Sequence, residues 1–178
     1  MNSRTGTEQL YLGKYRGTVI NNVDPDFRGR LQVEVPDVVS LLPTSWAEPC
    51  VPLAGPTGPA MGLYMVPPMG AGVWIEFEHG DSNKPIWTGC RWGASADVPP
   101  SAKLGLPISP PIVFQTAGQH MLSISDMPGP TGGIVIKIVS GASIMINELG
   151  ITIQNGQGAS IALMGPTVTI NQGALVVT

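Results

Sequence analysis

The chain has 178 residues and a formal net charge of −3, so no basic field recruits nucleic acid. Only 12% of the residues are charged, while Gly (23) and Pro (18) are abundant. That texture is too apolar for a disordered chain and too broken for long helices, so short strands joined by turns are expected and the fold class is all-β.

Cys50 and Cys90 lack CxxC spacing and are expected as small buried apolar residues, not as a disulfide framework. The opening MNSRTGTEQL has no basic stretch followed by an apolar core, so no signal peptide is visible. No apolar run reaches the roughly 18 residues of a membrane-spanning helix.

Residues 1–10 read as a polar tail, and residues 11–93 hold all four Trp and most of the charges. Tyr11–Asn21 alternates well, and VDPDFRGR (Val23–Arg30) is a turn cluster. Leu31, Val33 and Val35 alternate with Gln32 and Glu34, which predicts a half-buried strand. Trp46–Leu53 is a third strand, placed at an edge because Pro49 and Pro52 cannot donate. A long loop leads to Tyr64–Val66, followed by the turn PPMGAG, the strand Val73–Glu78 with Val73, Ile75 and Phe77 on one face, and finally Pro85–Cys90. So many short strands with one long loop suit a small barrel of the OB type.

Residues 94–111 form a connector that Pro99–Pro100 and Pro110–Pro111 stiffen toward extended geometry. Ile112–Gln115 and Met121–Ser125 are strands around the turn TAGQH. From 131 onward the charges are Lys137 and Glu148, and apolar residues come in alternating sets: Ile134, Ile136 and Ile138; Ile144 and Ile146; Ile151 and Ile153; Ile161 and Leu163; Val168 and Ile170; Leu175 and Val177. Turn clusters such as SGAS, NELG and NGQGAS separate them, which is the pattern of a β-solenoid or prism. Each strand has one strongly apolar face that its own turns cannot cover, and almost no charge blunts its edges. Identical neighbours around a closed axis would cover that face, so the chain is expected to be an obligate oligomer. The residues from Ile134 to Ile170 named above are its candidate core, and Leu175 and Val177 its candidate tip.

At this point the residues carry a family resemblance. Gly17–Val19, DFRGRLQVEVPDV (Asp26–Val38), SWAEP (Ser45–Pro49), PPMGAGVWIEFEHGDSNKPIWTG (Pro67–Gly89) and Cys90–Gly93 together resemble the OB-fold domain of central spike proteins of contractile phage tails, the baseplate assembly protein V type. They are also similar to type VI secretion spike proteins. The segment QTAGQHMLSISDMPGPTGGIVIKI resembles the family's passage from barrel to β-helix. The resemblance implies an N-terminal OB-fold barrel (11–93) followed by a C-terminal intertwined trimeric β-helix or β-prism (112–178). Implied partners are two further copies of the chain, a baseplate hub protein above the OB domain and, transiently, the host outer membrane. The final residues Leu175–Thr178 are apolar up to Thr178 and lack a polar cap, so the expectation there is either a separate tip protein or three C-termini that shield one another. The implied location is the virion tail baseplate, after synthesis in the host cytoplasm. Relatives with an iron at the tip carry a His-x-His pair, whereas this chain has only His79 and His120, so no metal or other cofactor is expected. The connector is too short for the lysozyme domain of larger relatives.

Competing readings of single residues are weaker. Glu76 and Glu78 lie two apart and are expected on a solvated strand face, not as a catalytic pair. His79 beside Asp81 and Ser82 sits in one turn, too local for a catalytic cleft. Trp46, Trp74, Trp87 and Trp92 could stack bases or sugars, but flanking cations are few and packing is the simpler role. Arg28 and Arg30 with Asp24 and Asp26 are expected as a charged loop at an interface. The expected function is thus a non-enzymatic, membrane-piercing trimeric spike. The alternative is an OB-fold module for oligosaccharide or single-stranded DNA with a trimerising tail.

Overall fold

The computed structural model describes residues 9–38, 43–56 and 58–177. The first eight residues of the expected tail lie outside them. The chain divides into two compact units, Met1–Gly93 and Ala94–Thr178. Both are built of strands and short 3-10 turns, and among the described residues there is no α-helix.

The first unit is a five-stranded sheet made of β1 (Tyr15–Asn21), β2 (Gln32–Glu34), β3 (Glu48–Pro49), β4 (Gly72–Phe77) and β5 (Pro85–Arg91), in the order β2-β1-β4-β5-β3. An antiparallel bridge between Leu31 and Ala47, with N···O distances of 3.1 and 2.7 Å, joins the two outer strands and closes the sheet on itself. Closure explains the alternation along β4. Val73, Ile75 and Phe77 point inward with Val19, Leu31, Val33, Val35, Ala47 and Trp87, while Trp74 and Glu76 face outward and are half-buried. The Trp87 indole N–H donates to the Gly29 carbonyl at 3.0 Å, which satisfies the one polar atom this large side chain carries inward.

Several local expectations are corrected. Tyr64–Val66 is not a strand: Pro67 and Pro68 follow it, and Gly29 packs against the side chains of Tyr64 and Val66. The predicted strand Trp46–Leu53 shrinks to two residues paired parallel to β5, because Pro49 and Pro52 remove ladder donors. Glu78 lies beyond β4 in a 3-10 turn, Glu78–Gly80, so it does not share a strand face with Glu76. The connector is not uniformly extended but contains 3-10 turns at Ser95–Asp97 and Pro100–Lys103. Both cysteines are exposed and free, contrary to their expected burial.

The second unit is one sheet of eight strands: β6 (Ile112–Gln115), β7 (Met121–Ser125), β8 (Gly133–Lys137), β9 (Ser143–Asn147), β10 (Gly150–Gln154), β11 (Ser160–Met164), β12 (Thr167–Ile170) and β13 (Leu175–Val177). Each strand pairs antiparallel with the next in sequence, so the backbone ladder runs between consecutive strands of the same chain. The expected intertwining between chains is not what forms this ladder. Among the described residues, unpaired edges fall to β6 and β13, the two ends of the order.

A longer period underlies the sheet. Gly133, Ile136, Gly141, Ser143 and Ile144 in β8–β9 recur as Gly150, Ile153, Gly158, Ser160 and Ile161 in β10–β11, each 17 positions later. One hairpin is therefore the repeating unit. Its first residue must be glycine for a concrete reason. A Cβ on Gly133 would lie 2.0 Å from the Ile146 carbonyl oxygen, and one on Gly150 would lie 1.9 Å from that of Leu163.

Candidate trimer interface

In a strand, alternate side chains share a face, and in an antiparallel pair directly opposed residues stand side by side. The register of the second unit converts these two rules into two continuous columns. The first runs Ile112, Ile124, Ile134, Ile146, Ile151, Leu163, Val168, Val177, each opposite the next across neighbouring strands. The second runs Phe114, Leu122, Ile136, Ile144, Ile153, Ile161, Ile170, Leu175. All sixteen side chains are apolar and lie on one face.

Among the described residues of the second unit, none covers this face. Ile151 remains 37% exposed and Ile136 48%, although both lie mid-sheet with strand neighbours on either side. Leu175 and Val177, on β13 at the end of the strand order, rise to 54% and 56%. Ile138 lies one residue past β8, where its N–H donates to the Ala142 carbonyl at 3.0 Å. Its side chain borders a shallow groove shared with Ile136, Ile144 and Ile153. A face of this extent is far beyond the scattered apolar residues of an ordinary surface. Every candidate core and tip residue named from the sequence lies along it. Sequence reading placed its first two strands but left their side chains out of the candidate core: Ile112, Phe114, Leu122 and Ile124 extend both columns, and the alternation IVFQ followed by MLSIS was the available signal.

The opposite face is different in kind. Its central row reads Val113, Ser123, Val135, Met145, Thr152, Ala162 and Thr169. A flanking row carries Lys137 between Met121 and Ser143, and the Gln154 amide donates to the Ser143 hydroxyl at 3.0 Å. Three hydroxyl side chains alternate here with four apolar ones, so this face is mixed where the columns are uniformly apolar.

In the first unit the charged loop proves to be an internal clasp. Asp24 Oδ2 accepts the backbone N–H groups of Arg28 and Arg30 at 2.9 and 3.1 Å, and Oδ1 accepts that of Asp26 at 3.0 Å. The Arg30 guanidinium reaches Oδ1 through Nη2 at 2.6 Å and also pairs with Asp26. Asp24 and Arg30 side chains are only 2% and 13% exposed. The Arg30 guanidinium, opposed by desolvation and helped by the three backbone donors, holds the Asp24 carboxyl well below the usual carboxylate range. Arg28 is in turn paired with Glu48 at 2.8 Å.

The remaining candidates resolve individually. Glu76 pairs with Lys14 at 3.1 Å on the surface. Asp81 is committed to its own turn, accepting the Asn83 N–H at 2.9 Å, and His79 stands 3.8 Å from Glu78. Trp87 is buried, the Trp46 ring is already occupied by Arg30 at 5.6 Å, and Trp92 is exposed at the end of the unit. Among the described residues, no three His, Cys, Asp or Glu side chains are grouped to hold a metal ion.

Comparison with known proteins agrees with this division of the chain. Residues 15–92 match the type VI secretion system/phage-baseplate injector OB domain, and residues 111–176 match the phage baseplate V C-terminal trimerisation domain. A comparison with curated proteins gives no match. The closed sheet of the first unit carries the OB domain, and the uncovered columns of the second, all but Val177, lie within the trimerisation domain; the chain belongs to the phage baseplate V family of structural baseplate spike proteins.

Proposed function

We propose that this chain is the membrane-piercing central spike of a contractile tail, acting mechanically as a homotrimer. The observation that carries the reading is the pair of unbroken apolar columns across all eight strands, which three copies around one axis would cover together. On this reading Ile134, Ile136, Ile138, Ile144, Ile146, Ile151, Ile153, Ile161, Leu163, Val168 and Ile170 form the trimer core, joined by Ile112, Phe114, Leu122 and Ile124. The Ser- and Thr-bearing face would then look outward. With so few charges, that surface can pass through a bilayer without dragging ions into hydrocarbon.

The OB domain would meet the baseplate hub protein. Leu175 and Val177 would form the leading end, open to a separate tip protein through the free edge of β13. No step of this work requires a catalytic group or a cofactor, and the particle would carry the spike in the virion baseplate.

Two measurements test the proposal. Light scattering on the purified chain should give three times the chain mass, and a stable monomer at micromolar concentration would overturn the assembly. Contractile particles assembled with an Ile144→Asp, Ile153→Asp chain should fail to release dye from outer-membrane vesicles. Undiminished release would overturn the piercing role.

A further inference from the structure

The outer face of the first unit's sheet brings an indole and two uncommitted guanidinium groups into adjacent rows. Arg16 of β1 stands directly opposite Trp74 of β4, which in turn stands opposite Gly89 of β5. Thr18, Gly72 and Arg91 form the next row along the same three strands. Residues two apart on a strand share a face, so both rows lie side by side, away from the buried core.

Two glycines shape this surface. A Cβ on Gly72 would come within 3.0 Å of Arg91 Cγ and 3.1 Å of its Cζ, so the Arg91 side chain lies across Gly72, next to Trp74 on the same strand. A Cβ on Gly89 would meet nothing within 4 Å, which leaves the space opposite the indole open.

Charge then selects the ligand. Among the described residues neither Arg16 nor Arg91 forms an ion pair, whereas the neighbouring Glu76 is taken by Lys14 at 3.1 Å. Glu34 ends the second row beyond Thr18 and pairs with neither arginine. Arg91 Nε is buried without a hydrogen-bond partner, so this pose leaves a donor unmet that a ligand drawing the guanidinium outward would satisfy. The guanidinium fork matches phosphate oxygens, and the electron-rich face of an indole takes the C–H edge of a sugar ring. A nucleic-acid strand calls for successive stacking rings in a basic groove, and these two rows hold one ring. We propose that Arg16, Trp74 and Arg91 form a subsite for a phosphorylated sugar, with the ring on the indole and the phosphate held by the guanidinium groups. The subsite lies within one chain, so it stands or falls separately from the trimer.

The test uses the full-length protein labelled with fluorotryptophan, its four fluorine resonances assigned with Trp→Phe variants. Titration with glucose-6-phosphate should shift the Trp74 resonance saturably and leave that of buried Trp87 in place. Arg16→Gln and Arg91→Lys, each checked by light scattering for unchanged mass, should weaken binding by about tenfold. Arg91→Lys keeps the charge and removes only the fork. Inorganic phosphate and glucose should each bind at least about tenfold more weakly than the sugar phosphate. Phosphatidylcholine vesicles with and without lipid A distinguish a membrane-borne sugar phosphate from a soluble one, and binding of either supports the subsite. Four outcomes would overturn it: a Trp74 resonance that does not move, binding indifferent to both substitutions, inorganic phosphate or glucose binding as tightly as the sugar phosphate, or an oligothymidylate binding more tightly.

Discussion

Ile144 of β9 stands directly opposite Ile153 of β10, and both remain about 40% exposed although each has strand neighbours on both sides. The pair is the centre of the uncovered columns. Truncating either side chain should therefore cost little in an isolated chain and much in the assembly. Ile153→Ala is expected to destabilise the trimer by about 2–5 kcal/mol for each chain, three times over per particle. Thermal unfolding at two protein concentrations checks this, because a subunit contact also makes the midpoint concentration-dependent. A loss of only a few tenths of a kcal/mol would place Ile153 in solvent.

The glycines that open the hairpins are expected to resist replacement. At Gly150 an added Cβ meets the Leu163 carbonyl at 1.9 Å, so Gly150→Ala must displace backbone and should cost at least about 2–3 kcal/mol. Gly165→Ala has open space around its Cβ and φ +55, so it should cost only about 1–2 kcal/mol. Differential scanning calorimetry of the two variants gives the order, and the reverse order would contradict the register described above.

A whole hairpin should be removable. Deleting Gly133–Leu149 puts Gly150 where Gly133 stood and brings Ile151 opposite Ile124 and Ile153 opposite Leu122, so both columns continue. Deleting an odd number of residues from within a strand would turn half a strand's isoleucines to the other face. The whole-unit deletion is expected to retain a trimer in light scattering, and the odd deletion to aggregate.

Acid should loosen the first unit through Asp24. Its folded-state carboxyl lies below the unfolded value of about 4, so the stability it contributes is complete above that pH and is lost as pH falls through the folded value. Asp24→Asn removes the charge at every pH. The variant should have a lower urea midpoint at pH 7, and the gap to the parent chain should narrow between about pH 4 and pH 2. All four Trp lie in residues 46–92, so intrinsic fluorescence follows this unit alone. A gap that stays constant across the window would contradict the role of the Arg30 pair.

Strands with uninterrupted alternation were legible in the sequence. Ile112–Gln115 and Met121–Ser125 fall where the alternation puts them, and the inward set Val73, Ile75 and Phe77 is buried as expected. What alternation could not show was who pairs with whom. The isoleucine pattern is equally compatible with rungs wound between chains and with a ladder closed inside one, and only the register of Ile144 against Ile136 and Ile153 separates them. Asp24 was legible as a charge but not as a buried one, because its burial depends on backbone donors that the turn Asp24–Arg30 brings inward.

The ladder between consecutive strands has a kinetic consequence. Every pairing in the second unit joins segments that are adjacent along the chain, so each hairpin can form as soon as its own residues are available, without waiting for distant loops to close. Copies would then meet as ready-made ribbons whose only unsolved problem is an oily face. On that ladder, assembly would be a docking step sensitive to chain concentration.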